Sequence, residues 1–200
     1  MITDNYEFFD IFEKNLGEYT NAPYVVLVDS CTNAIFLALR ALDIRDKLLT
    51  IPCCTYIGVP LSIKNSGNKV DLKEIDWIAD KEYKIQNTNI YDCALKLEEN
   101  MYRKGTIQCL SFQQKKPLNL GKGGAILLDD YDLYIKLNLL SIDGRNIRNF
   151  DVDTKIKEGY HMNMTPEQAM NGILKLNEFK KNPREAINTI YEDLRKIIDV

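Results

Sequence analysis

The sequence predicts a three-layer α/β/α fold with a mainly parallel β-sheet. Short apolar segments rich in β-branched residues alternate with segments whose apolar residues recur at helical spacing. The 200 residues are 45% apolar and 28% charged, enough for one domain with a substantial core. Because strands that alternate with helices usually pair in parallel, we expect helices to cover both faces of the sheet.

The first part of the chain predicts helix, strand, helix, strand and helix, in that order. In the first helix Phe8, Ile11, Phe12 and Leu16 share one face. The β-branched run that follows indicates a buried strand. In chain order the five segments are "EFFDIFEKNLGEYT", "YVVLVDS", "NAIFLALRAL", "DKLLTIPC" and "YIGVPLSIKN", the last ending near Gly67.

The second part begins with a polar, irregular stretch from Asn68 to Asn87, for which no element is predicted. Three strands follow, "TNIYDCA", "GTIQCLSF" and "GGAILLDD", and then the helix "DYDLYIKLNLLSI". Thr165 is the predicted N-cap of the helix "TPEQAMNGILKLNEF". A last helix is predicted from Pro183, in "PREAINTIYEDLRKIIDV". We therefore expect an α/β domain over residues 1–180 and a C-terminal helix over 181–200.

Composition argues against several classes of protein. A formal net charge of -3 disfavours a nucleic-acid or anionic-membrane binder. No apolar run approaches the roughly 18 residues of a membrane span, and "MITDNYEFFD" lacks the features of a secretory signal. Five cysteines, an odd number, indicate reduced thiols and a cytoplasmic protein. With no Cys-x-x-Cys spacing and a single histidine, His161, we expect no metal site and no histidine-based triad.

Polar groups follow the predicted strands where each strand ends, which is where open α/β sheets bind ligands. Ser30, Cys31 and Thr32 lie between a strand and a helix, so their backbone N–H groups could hold a phosphate, although a plain N-cap turn explains them as well. Asp92 ends the strand "NIYD" and is either a turn residue or the partner of a buried cation. A further set, Ser111 and Lys116, follows "TIQCLSF".

Two familiar glycine motifs do not explain "SFQQKKPLNLGKGG". A P-loop requires Ser or Thr after its Gly-Lys, and Lys122 is followed by Gly123. The dinucleotide fingerprint requires wider spacing between its glycines. An anion-binding turn, a carboxylate and a lysine on strand ends are instead what pyridoxal 5'-phosphate (PLP) requires. The lysine forms a Schiff base with the aldehyde, and the carboxylate keeps the pyridine nitrogen protonated.

The order of these motifs resembles the DegT/DnrJ/EryC1/StrS sugar-aminotransferase family, which has the fold-type I PLP architecture. The resemblance runs from about Phe8 to Phe179. It is carried by "VDSCTNAIFLAL", "IPCCTYIGV", "YDCA", "LSFQQKKPLNLGKGGAILLDD" and "GYHMNMTPEQA", in the family order.

The resemblance implies roles for individual residues. Tyr56 stacks on the cofactor ring, Asp92 pairs with the pyridine nitrogen, and Lys116 rather than Lys115 forms the Schiff base. Asn163 approaches the phosphate of a neighbouring subunit, which implies a homodimer with shared sites. The substrates that the resemblance implies are an amino-acid donor and a nucleotide-linked keto-sugar.

The sequence also departs from the family pattern. Leu95 replaces a glutamine near the cofactor, and Gln113 replaces a histidine. The resemblance further implies a shortened member that lacks most of the C-terminal small domain. Two other functions therefore stay open: a PLP enzyme of another reaction type (decarboxylase, racemase or eliminase), and a non-catalytic protein derived from the aminotransferase fold.

Overall fold

The computed structural model describes residues 6–145, 158–187 and 190–198, and its secondary structure follows the predicted order over most of the chain. None of the helices in these ranges is long and apolar enough to cross a membrane. The elements are α1 (Glu7–Thr20), β1 (Tyr24–Val28), α2 (Cys31–Ala41), β2 (Leu48–Pro52), α3 (Gly58–Asn65), β3 (Lys69–Lys73), β4 (Tyr83–Lys84), β5 (Ile90–Asp92), β6 (Ile107–Ser111), β7 (Gly124–Leu128), α4 (Tyr131–Ser141) and α5 (Pro166–Lys181).

The main sheet has five strands in the order β1-β7-β6-β5-β4, and β2 and β3 form a separate parallel pair. Strands β5 and β6 are parallel, whereas β7 is antiparallel to both β6 and β1, so β1, β5 and β6 run in the same direction. β4 pairs antiparallel with β5. The predicted α/β class is confirmed, but the sheet is mixed rather than mainly parallel. β5 and β7 each pair antiparallel with the strand that precedes them in the chain.

The three predicted layers are visible in the two hydrophobic cores. Successive residues of β1 point to opposite faces, as a pleated strand requires. Val26 and Val28 join a core with residues of α2, α3 and α4. Val25 and Leu27 join a second core with residues of α1 and α5. Helices therefore cover both faces of the sheet, and the strand ends are left open for a site.

The helix starts agree with the predicted caps. The Thr165 side chain accepts a hydrogen bond from the Gln168 backbone N–H, and the Gln168 side chain bonds back, which completes a capping box at the start of α5. At the start of α2 the Ser30 side chain accepts from the backbone N–H of Asn33. This helix begins at Cys31, two residues before the predicted segment.

The predicted helix from Pro183 is wrong for the residues that the structure describes. Over 183–187 and 190–198 the chain is irregular apart from a 3₁₀ turn at Leu194–Lys196. Its backbone bonds other segments instead: the Ile187 N–H donates to the Lys115 carbonyl at 2.8 Å. The Leu194 N–H donates to the Cys53 carbonyl at 2.9 Å. Tertiary hydrogen bonds thus replace the i to i−4 bonds of a helix.

Candidate active site

A cavity of about 340 Å³ lies at the carboxyl ends of β1, β5 and β6. Because these three strands share a direction, their last residues meet at one edge of the sheet. Every residue predicted to bind the cofactor lines this cavity, with the exception of Asn163. The lining residues are Ser30, Cys31, Thr32, Tyr56, Val59, Asp92, Ala94, Ser111, Gln113, Lys115, Lys116, Lys122, Gly123 and Tyr191.

The turn before α2 forms one wall of the cavity. Ser30 Oγ accepts from the Asn33 N–H at 3.2 Å and donates to Asp29 Oδ1 at 3.0 Å. The first N–H groups of a helix have no partner within the helix, and the helix dipole adds positive charge there. Cys31 and Thr32 occupy these first positions, so this wall suits a phosphate.

The glycines of "GKGG" allow β7 to lie directly against this turn. A Cβ on Gly124 would lie 2.7 Å from the backbone nitrogen of Cys31 and 2.7 Å from the carbonyl carbon of Ser30. Gly123 has φ of 133°, which L side chains rarely adopt, and forms a bridge with Ser30. The glycine cluster therefore shapes the wall of the site rather than wrapping a phosphate itself.

Asp92 is buried at the end of β5, with 4% of its surface exposed. Its Oδ1 accepts from the Ala94 N–H at 2.9 Å and from the Cys31 thiol at 3.7 Å. Burial raises the pKa of Asp92, and these hydrogen bonds and the nearby charge of Lys116 lower it in part. A buried carboxylate in this position is suited to a cationic partner.

Lys116 lines the same cavity and carries an amine whose pKa is lowered, mainly by burial. The charge of Asp92 raises this pKa, and the charge of Lys115 lowers it further. Gln113 forms the turn that precedes the two lysines: its carbonyl accepts from the Lys116 N–H and its side chain from the Lys115 N–H, both at 2.8 Å. Lys115 thus has the effect on Lys116 that a nearby like charge predicts.

Tyr56 lies at the mouth of the cavity with 56% of its surface exposed, so its ring is free to stack on a ligand. A Cβ on Gly58 would lie 2.7 Å from this ring and 2.9 Å from Thr32 Oγ1. The absence of that Cβ lets the ring lie close to the turn before α2. The Ser62 hydroxyl donates to the Thr32 carbonyl at 2.8 Å and ties α3 to this turn.

The structure adds residues that the sequence did not single out. Tyr191, from the C-terminal segment, lines the cavity, and burial raises its pKa to about 12. Its position follows from tertiary contacts, and no local pattern predicts it. Lys122, which forms an exposed ion pair with Asp29 at 3.5 Å, adds a cation to the wall. Leu95, which occupies the position of the family's glutamine, is buried in the core and does not line the cavity.

Asn163 lies elsewhere. It forms a bridge with Val28 and lines a separate cavity of about 300 Å³ near α1 and α4. Its Nδ2 donates to the Met164 carbonyl at 3.1 Å. Its buried Oδ1 has no hydrogen-bond partner among the described residues.

The residues matched by a known family include every cavity-lining position except Ala94. The sequence profile of the DegT/DnrJ/EryC1/StrS aminotransferase family matches residues 1–92 and 95–198. The chain belongs to this family. The suspected resemblance is thereby confirmed, and it extends beyond the predicted range at both ends.

Curated proteins with similar sequences include a transaminase and a synthase. The UDP-4-amino-4,6-dideoxy-N-acetyl-beta-L-altrosamine transaminase of Campylobacter jejuni subsp. jejuni serotype O:2 is 24% identical over 225 residues, a match that covers 90% of this chain. The GDP-perosamine synthase of Escherichia coli O157:H7 is 24% identical over 233 residues, covering 94% of this chain and 64% of the relative. The chain spans about 60% of the length of the first curated relatives it matches.

Solved structures show the same fold at low identity. The sugar aminotransferase CalS13 from Micromonospora echinospora superposes with a TM-score of 0.73 at 19% identity, over 87% of this chain and 61% of its own. The structure of ntda from Bacillus subtilis with bound cofactor pmp gives a TM-score of 0.66 at 21% identity, over 88% of this chain and 49% of its own. The predicted fold-type I architecture is confirmed by this likeness.

Proposed function

We propose that this family member binds PLP in the cavity and transfers an amino group from an amino acid to a keto-sugar. The observation that carries the proposal is the presence of Lys116 and Asp92 in one cavity. One is an amine with a lowered pKa and the other a buried carboxylate, and each changes the pKa of the other. Perturbed groups of complementary chemistry in a cleft are typical of catalytic sites.

The residues present fit PLP as a set. A helix start with Ser30 and Thr32 suits a phosphate, Tyr56 offers an exposed aromatic face, and Asp92 can hold a protonated pyridine nitrogen. Lys116 supplies the amine that an aldehyde requires. Ser111, at the end of β6, adds a hydroxyl to the same wall. Together these groups match the phosphate, the ring and the aldehyde of one ligand.

Each residue has a distinct chemical task in this proposal. When bound, PLP supplies an electron sink for the α-carbon of the amino donor. Asp92 would keep a proton on the ring nitrogen because its carboxylate places a negative charge beside that nitrogen in a buried site. As a free amine, Lys116 would take a proton from the α-carbon of the amino donor and deliver it to a different carbon, because return to the same carbon would transfer no amino group. Its lowered pKa increases the fraction of free amine available to accept that proton.

The sugar acceptor is proposed from the relatives. Their printed names describe transaminase or synthase activities on UDP- and GDP-linked sugars. The two matches cover 90% and 94% of this chain, so we propose a nucleotide-linked keto-sugar here as well. We expect the enzyme to work in the cytoplasm, because all five of its cysteines are free thiols.

We also propose a homodimer in which each site uses residues of both chains. Asn163 lies outside the cavity of its own chain, and its Nδ2 amide, which donates to the Met164 carbonyl, has a second N–H that can donate to an anion. A two-fold pair would place the same surface of each chain against the other and create two equivalent sites. In such a pair Asn163 would lie near the turn before α2 of the other chain, which is the proposed phosphate site.

The test of the reaction is a two-step assay with purified protein and PLP. An amino acid such as glutamate should convert the visible band of bound PLP to that of the aminated cofactor. A nucleotide-linked keto-sugar should then restore the original band and gain an amine, detected by mass spectrometry. Carbon dioxide release or racemised donor without an aminated sugar would favour another PLP reaction. A protein that never takes up PLP would contradict the proposal.

A further inference from the structure

Tyr83 lies directly opposite Asp92 on the neighbouring strand. β4 and β5 are antiparallel, and their register pairs Tyr83 with Asp92. Side chains of directly paired residues stand on the same face of a sheet within contact distance. Both residues are almost fully buried, with 5% and 4% of their surfaces exposed. No element is predicted here, because Tyr83 falls in the polar stretch from Asn68 to Asn87.

The hydroxyl of Tyr83 connects Asp92 to the loop that carries Tyr56. Tyr83 Oη lies 2.7 Å from Thr55 Oγ1, and the Tyr83 hydroxyl also lowers the pKa of the Asp92 carboxyl group opposite it. An ionised carboxylate can only accept, so this interaction requires the Tyr83 O–H to be directed toward Asp92 and the Thr55 hydroxyl to donate to Tyr83. Thr55, Tyr83 and Asp92 thus form a directed chain of polar groups.

The ring of Tyr83 is itself held in place. It makes an edge contact with Trp77, with the ring centres 4.9 Å apart. The Trp77 indole N–H donates to the Cys54 carbonyl at 3.0 Å. Both anchors, Cys54 and Thr55, immediately precede Tyr56 in the chain. Tyr83 therefore links the loop of the stacking aromatic to the carboxylate.

We propose that Tyr83 is a positioning residue that fixes the Asp92 carboxylate toward the ring nitrogen of the cofactor. The inference rests on the proposed function, because it takes Asp92 as the partner of that nitrogen. Tyr83 does not itself line the cavity. It acts by orienting Asp92 and by keeping it ionised, and it couples this orientation to the loop of Tyr56.

The ionisation of Asp92 depends on groups from several elements. The Tyr83 hydroxyl, the Cys31 thiol and the charge of Lys116 all lower the pKa of Asp92, against the larger effect of burial. Other titratable groups that interact with Asp92 are Cys93, Cys109 and Tyr191. Removal of the Tyr83 hydroxyl leaves these groups unchanged and removes one interaction that favours the ionised form of Asp92. The pKa of Asp92 should therefore rise.

The test compares Tyr83→Phe with the matched control Tyr91→Phe. Tyr91 precedes Asp92 on β5, so its ring is on the opposite face, where Arg103 lies 4.5 Å from the ring centre. In cofactor-free protein, ¹³C NMR of the Asp carboxyl carbons, assigned with Asp92→Asn, should show a higher pKa for Asp92 in Tyr83→Phe than in the native protein. With PLP and donor, kcat should fall roughly tenfold with KM unchanged. Tyr91→Phe should match the native protein in both measurements.

Thr55→Val provides a second variant if Tyr83→Phe does not fold. It removes the Thr55 partner of the Tyr83 hydroxyl and should change the pKa of Asp92 by less than Tyr83→Phe does. An Asp92 titration that is identical in native protein and in the folded variant would overturn the inference, whether or not PLP binds. A native protein that does not bind PLP, but in which Tyr83→Phe still shifts Asp92, would overturn the proposed function and retain the link between Tyr83 and Asp92.

Discussion

Asp92→Asn replaces a buried carboxylate by an amide of nearly the same shape. The side chain is 4% exposed, and the amide oxygen can still accept the 2.9 Å hydrogen bond from Ala94. The variant therefore removes a charge and leaves the packing of β5 in place. We expect it to impair catalysis strongly and, without cofactor, to leave the protein folded.

The catalytic loss follows from the charge pair with the pyridine nitrogen. Breaking a buried charge pair by removing one partner costs about 3–5 kcal/mol. If the whole loss falls on the transition state, turnover decreases roughly 10²- to 10³-fold, since each tenfold change corresponds to about 1.4 kcal/mol. PLP should still bind, because the phosphate turn and Lys116 remain.

Although Asp92→Asn should lower turnover, it should not lower the stability of the cofactor-free protein. The pKa of Asp92 is raised in the folded protein, so its proton is bound more tightly there than in the unfolded chain. The carboxylate thus destabilises the cofactor-free protein above its raised pKa, and this penalty disappears as the pH falls through about 3.9. At neutral pH the cofactor-free Asp92→Asn protein should be at least as stable as the native one, and this advantage should shrink in acid.

The assay combines single-turnover spectra of the holoenzyme with urea unfolding of the cofactor-free protein at several pH values. Asp76→Asn, at an exposed position, is the matched control and should change neither property. Near-native turnover in Asp92→Asn would refute the role of Asp92 at the ring nitrogen. A marked loss of stability at neutral pH would show that the carboxylate is a structural turn residue.

Three further perturbations test neighbouring parts of the site. Lys115→Gln should raise the pKa of Lys116 by removing a like charge, so the pH profile of PLP addition should move to higher pH; an unchanged profile would contradict this. Gly124→Ala should cost about 1–3 kcal/mol in urea unfolding because its Cβ would lie 2.7 Å from backbone atoms; native stability in this variant would contradict the packing argument. Mixing the inactive Lys116→Ala and Asn163→Ala chains should restore part of the activity; no recovery in proven mixed dimers would exclude shared sites.

Local sequence patterns predicted much of the fold because most strands and helices carry their own signal. The run from Val25 to Val28 is buried at every residue, and its β-branched composition indicates a strand without further context. The Thr165 cap and its partner Gln168 define the start of α5 within the sequence itself. The cavity followed in turn, because the ends of strands with the same direction must meet.

The missed features depend on contacts between distant residues. β4 has only two residues and lies among the charged Lys81, Glu82 and Lys84, so it has no alternating apolar pattern of its own. Only its pairing with β5 reveals Tyr83. The C-terminal segment shows the converse, since its apolar residues have helical spacing, yet Leu194 is buried against the core and Ile190 is 97% exposed. Hydrogen bonds to other loops determined its conformation, and no local pattern contains them.

The most direct test of the central claim is the identity of the residue that holds PLP. Purified protein would be incubated with PLP, reduced with borohydride and digested, and the modified peptide sequenced by mass spectrometry. The structure predicts a pyridoxyl phosphate group on Lys116, retained in Lys115→Ala and lost in Lys116→Ala together with the visible band. Modification of Lys115 or Lys122 instead of Lys116, or no modification at all in folded protein, would contradict the assignment of this cavity as a PLP site.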